Sequence, residues 1–251
     1  MLLVIAPQRL ARFLTILVVT IGVIGTGAQF VQQASRSWSY GRVSTVAGKF
    51  VLDSELTFPA WYSSVAILAC SALLALIALA KRRTQSLFAR HWTGLAVILL
   101  LMSIDEMIAV HEMLIGPLRR FFGASGILHY TWVVPAFFFV CIFALTYVRF
   151  VFVHLDARTR RRFIAAGLIY VGAALGMELV EGPIDQRFGA KSLLGVAAVS
   201  VEETSEMLGI VLFFVALLRY AAEHVGVIRV RIEDPHAENP QTNRCSIGPC
   251  S

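Results

Sequence analysis

Charge is scarce in this chain. Asp, Glu, Lys and Arg make up 15% of its 251 residues, hydrophobic side chains make up 57%, and the mean hydropathy is +0.73. That balance excludes an ordinary soluble domain, which is about 45 to 50% apolar. The 22 basic and 16 acidic residues leave a net charge of +6. The basic side chains fall in short gaps between apolar runs, where membrane topology uses them, so no nucleic-acid partner is expected. Cysteine is sparse too. Of the four, Cys70 and Cys141 sit inside apolar runs, and Cys245 and Cys250 lie in the tail sequence CSIGPC. No disulfide framework follows. An internal repeat is also lacking.

What is present is length without charge. Uncharged stretches able to span roughly 30 Å of hydrocarbon run over about 13–32 and 60–80, with a slightly shorter one at 131–148. Three more, about 92–114, 163–182 and 192–218, reach spanning length only if their carboxylates are included. The predicted fold is all-α: a polytopic six-transmembrane-helix bundle over 1–222, followed by a loosely ordered tail over 223–251 that contains Pro235, Pro240 and Pro249.

Alternate connections carry the positive charge. Arg9 and Arg12 precede the first span, Lys81, Arg82, Arg83 and Arg90 follow the second, and Arg158, Arg160, Arg161 and Arg162 follow the fourth. The positive-inside rule therefore puts both termini and the tail in the cytoplasm of a bacterial cell, with the inner (plasma) membrane as the expected location. Trp61, Tyr130 and Trp132 would anchor spans at the periplasmic surface and Trp92 at the cytoplasmic one. His91 and His154, at cytoplasmic helix ends, would be solvated.

Against that apolar background the acids cluster. Asp105, Glu106 and Glu112 accompany His111 in one span, Glu178 and Glu181 lie in another, and Glu202, Glu203 and Glu206 in a third. A carboxylate in hydrocarbon costs on the order of 2 to 3 kcal/mol on the lenient insertion scale, so some cation or proton must compensate. At about 1.5 Å per residue all three groups fall at one depth, in the periplasmic leaflet. Helical spacing turns Asp105 and Glu112 the same way, likewise Glu178 and Glu181, and likewise Glu202 and Glu206. Asp53 and Glu55, ahead of the second span, and His129, ahead of the fourth, are able to join them.

Many hard oxygen ligands with one or two imidazoles suit iron, manganese or calcium better than structural zinc. The expected metal ligands are Glu55, Asp105, Glu106, His111, Glu112, Glu178, Glu181, Glu202, Glu203 and Glu206. The expected cofactor is a divalent metal, two iron ions first, with manganese or calcium as alternatives. The inventory resembles that of ferritin-like di-iron bundles, although their Glu-x-x-His spacing is absent. Three function classes follow. One is a membrane-embedded dimetal oxidoreductase acting on a lipid or other hydrophobic substrate. Another is a divalent-cation or proton-coupled transporter, and the third a cation-stabilised binding or assembly module. Scarce histidine speaks against hydrolysis, and the absence of ionisable residues from the cytoplasmic halves of the spans speaks against transport. The sequence identifies neither a redox partner nor catalytic residues.

Three stretches, ELTFPAWYSS (55–64), SIDEMIAVHE (103–112) and EETSEMLG (202–209), resemble a group of bacterial six-span membrane proteins with a DExxxxHE helix motif and no settled activity. The resemblance covers about the central two-thirds of the chain. It implies that Glu55, Asp105, Glu106, His111, Glu112, Glu202, Glu203 and Glu206 belong together, and implies no particular chemistry.

Overall fold

The computed structural model describes residues 7–38, 41–54 and 56–226, as backbone only between 34 and 43. The expectations for Glu55, Cys245 and Cys250 lie outside the described residues. Within them there is no strand. The helices are α1 (Pro7–Trp38), α2 (Gly41–Ala47), α3 (Phe58–Arg83), α4 (Ala89–Ile108), α5 (Val110–Phe122), α6 (Val133–Arg149), α7 (Ala157–Val171), α8 (Glu178–Phe188) and α9 (Leu193–His224). A π turn, Phe150–His154, ends α6, and another, Gly172–Met177, joins α7 to α8 in one continuous rod. Six helical segments are long and apolar enough to cross a membrane, which makes the chain a multi-pass membrane protein.

Local chemistry accounts for most boundaries. Thr57 accepts from the Ala60 N–H to start α3, and Lys81, Arg82 and Arg83 complement the dipole at its other end. Asp156 caps α7 through the N–H groups of Arg158 and Thr159, and Ser192 caps α9 through that of Gly195. Ser200 lies inside α9 and bonds back to the Val196 carbonyl at 2.7 Å.

The central helix is α9. Half of its spanning window is buried against α1, α3, α7 and α8, while only 6% of the α6 window is. Helices in lipid gain little from hydrophobic transfer, so small residues that permit close approach decide the packing. Gly22 of α1 faces Thr204, and Gly209 lies so near the Tyr170 backbone that a Cβ there would be 2.9 Å from its nitrogen. Ser64 and Ser103 each donate to the other's carbonyl at 2.8 Å and so clamp α3 to α4, as does Ser71 on the Ala96 carbonyl at 2.7 Å.

Two features depart from the sequence pattern. The third span stops at Ile108, because Ala109 turns left-handed (φ 45°, ψ 51°), and α5 starts afresh. Asp105 and Glu112 therefore do not share a helix face. The fifth rod continues through Pro183 to Phe188, where Gly189 at φ 86° ends it. Glu178 and Glu181 thus sit within a helix and not at its end.

Trp92 is also not an interfacial anchor. It is fully buried, and its indole N–H donates to His154 Nε2 at 3.2 Å. Nor is His154 simply solvated: the π turn carries it into an aromatic cluster with Trp92, Phe88 and Phe150, and His91 stacks on Phe150. That cluster tops an apolar core formed by Ile67, Leu74, Leu95, Ile210, Leu217 and neighbours.

Candidate functional site

The acids collect at the other end of that core. They begin at the break in SIDEMIAVHE. Asp105 Oδ1 accepts from the His111 backbone N–H at 3.1 Å, and Oδ2 lies 2.6 Å from His111 Nδ1. One carboxylate thereby caps α5 and orients the imidazole, leaving Nε2 free of that bond. The imidazole ring lies 4.6 Å from that of Trp132, whose indole N–H donates to Glu178 Oε1 at 2.8 Å. The relay Asp105, His111, Trp132, Glu178 links α4, α5, the start of α6, and α8.

The second oxygen of Glu178 is buried without a partner, and so is Oε1 of Glu181 one turn on. Glu181 is only 5% exposed. Glu202 of α9 stands beside it, so the two carboxyl groups face one another across the α8–α9 seam. Glu106 lies beside Ser63 of α3 and within electrostatic reach of Glu203 and Glu206, and Tyr170 of α7 lies among these acids. The π turn at Gly172–Met177 comes directly before Glu178 and resets the rotation of α8 relative to α7, a distortion common at functional sites.

A rim of residues covers this layer. Tyr130 donates to Asp185, and burial together with that bond holds the phenol well above its ordinary range. Asp53 keeps an exposed edge, yet crowding by protein atoms raises its carboxyl, and the Asp185 charge adds to the effect. His129 is depressed by burial and by Arg119, whose guanidinium donates to its carbonyl. Beside the layer, a groove of about 320 Å³ lined by Val19, Gly22, Val23, Thr26 and Thr204 opens between α1 and α9.

Of the predicted ligands, Glu106, Glu178, Glu181, Glu202, Glu203 and Glu206 come together around α9. Asp105 and His111 adjoin Glu106 directly and reach Glu178 through Trp132. Glu112 is exposed on α5, and its charge acts on the His111 imidazole. Asp185, Tyr130, Trp132, Tyr170 and Ser63 were not foreseen as site residues. Only the aromatic residues had a sequence signal, and it reads equally well as interfacial anchoring. Among the described residues, no three His, Cys, Asp or Glu side chains are arranged to hold a metal ion.

Fold and site define a six-span membrane protein with a carboxyl-rich centre enclosed by its helices. The chain belongs to the family described as a domain of unknown function, DUF8692, which it matches over residues 11–221. No curated protein and no solved structure matches it.

Proposed function

We propose that this is a membrane-embedded, metal-dependent protein of the bacterial inner membrane, an oxidoreductase acting on a lipid or other hydrophobic molecule near the periplasmic face. One observation carries the reading. Glu178 Oε2 and Glu181 Oε1 are buried carboxylate oxygens without protein partners, one turn apart on α8 and beside Glu202. Such atoms call for a cation or a proton, and several acids in one layer suit a cation. Asp105 holds the His111 ring at Nδ1, which leaves Nε2 available to a metal when the ring is neutral. As placed, the carboxylates do not converge on one ion, so binding requires rotation of Glu178, Glu181 and Glu202. A bound metal would supply redox or Lewis-acid chemistry; the protein supplies the acids, the enclosing helices and, in the Val19–Thr204 groove, an apolar approach from the bilayer.

A second reading, a proton- or cation-coupled transporter, is favoured by the close approach of the Glu181 and Glu202 carboxyl groups, a pair able to hold a proton or a cation between them. Against it stands the apolar core of Ile67, Leu74, Leu95, Ile210 and Leu217, which separates the acids from the other end of the bundle.

Metal analysis of full-length protein in mild detergent tests both. Iron or manganese near two per chain, lost in Glu178→Gln and Glu181→Gln, is the expected result. Metal-free, folded protein that carries proton or cation flux in proteoliposomes would replace the first reading with the second.

A further inference from the structure

At the end of the bundle remote from the acids, a cavity of about 250 Å³ opens between α1, α7 and α9. Its walls are apolar, with Ala11, Ala166, Val211 and Val215 among them, yet two guanidiniums, Arg162 and Arg219, line it as well. Two like charges beside hydrocarbon are costly without an anion. Arg162 makes the deficit explicit. Its Nη1 is shielded from solvent and has no hydrogen-bond partner. The neighbouring acid, Glu223, stands 3.9 Å away, an ion pair beyond hydrogen-bond length. Arg12, next to Ala11, and Arg158 and Arg161, within a turn of Arg162, make this end strongly positive.

We infer that this cavity binds an anionic phospholipid, with the phosphate on Arg162 and Arg219 and the upper acyl chain along Ala166, Val211 and Val215. From Arg219 back to Val211, α9 descends about 12 Å, so the pocket reaches from headgroup level into the acyl region. Basic pockets between spanning helices recognise anionic headgroups by this combination, and neither feature suffices alone. A free phosphate would leave the apolar wall bare, and a zwitterionic lipid would bring its own cation up beside the two arginines. The inference is independent of the acid layer and of any reaction there.

Native mass spectrometry of the full chain in mild detergent tests it, using phosphatidylglycerol and phosphatidylcholine with identical acyl chains. Phosphatidylglycerol should bind more tightly by about 30-fold, the factor that about 1 kcal/mol per arginine gives for two. In an Arg162→Gln, Arg219→Gln double variant the preference should vanish. Leu212→Trp, which fills the cavity from its exposed wall, should weaken both lipids while the melting temperature holds. Equal binding of the two lipids by the wild type, or an undiminished preference in the double variant, overturns the proposal. Displacement of the lipid by inorganic phosphate alone overturns it too, because the ligand would then be a soluble anion.

Discussion

His111 Nδ1 lies 2.6 Å from Asp105 Oδ2 while the His111 backbone N–H donates to the other oxygen of the same carboxylate, so one acid bridges the break between α4 and α5. Burial by itself would lower the imidazole pKa. The bond to Asp105 and the charges of Asp105, Glu112 and Glu106 outweigh burial, and the net shift is upward from the ordinary 6.5. A group raised in the folded state gives stability that is complete below its unfolded pKa and lost as pH rises through the folded value. Thermal stability should therefore fall as pH climbs above 6.5, and His111→Gln should flatten that slope. NMR of ring-labelled His111 should give a titration that Asp105→Asn moves downward. Identical pH profiles for wild type and His111→Gln would remove the bridge from the account.

Trp132 is the donor that makes half of Glu178 tolerable. Trp132→Phe keeps a ring beside His111 but leaves both Glu178 oxygens unpartnered, at a cost of about 1 to 3 kcal/mol. Because the penalty belongs to the pair, Trp132→Phe should cost much less in a Glu178→Ala background. Thermal melts of the four proteins in one detergent measure the coupling. Additive effects would mean that the indole acts only as packing.

The six spans are legible because long uncharged runs have few other uses, and the acids stand out because hydrocarbon makes them rare. What the sequence hides depends on rotation and on distant contacts. No glycine or proline marks the stop at Ala109; the break coincides with His111 folding back onto Asp105, a tertiary contact that helical periodicity does not encode. The π turn at Gly172–Met177 shifts the register of Glu178 without altering composition. Trp132 and Tyr130 have the placement of interfacial anchors, and only the packing of α8 beside them turns their polar atoms towards Glu178 and Asp185.

Gly182 marks where the loop after α5 seats on α8. A Cβ there would lie 2.7 Å from the Gly126 carbonyl oxygen and 2.9 Å from His129 Cβ. Backbone cannot yield as a side-chain tip can, so Gly182→Ala should destabilise by about 1 to 3 kcal/mol. It should also weaken the Gln186 contacts to the Gly126 N–H and to His129. Gly167→Ala is the control: nothing lies within 4 Å, and helix propensity favours it by about 1 kcal/mol. Equal behaviour of the two variants in thermal melts would contradict the close approach.

Ala109 decides between a broken helix and a continuous one. At φ 45° and ψ 51° an alanine pays about 1 to 2 kcal/mol in Cβ crowding, which glycine avoids at some cost in unfolded-chain entropy. Ala109→Gly should therefore be neutral or stabilise by about 1 kcal/mol, while Ala109→Val, β-branched and ill-suited to that region, should destabilise. The bond from the residue 109 N–H to the Asp105 carbonyl, 2.6 Å, survives in both variants. In an unbroken helix through 92–114 the order reverses, since glycine in a helix interior costs about 1 kcal/mol relative to alanine. Clear destabilisation by Ala109→Gly would restore that unbroken span, put Glu112 back on the face of Asp105, and detach His111 from the carboxylate that orients it.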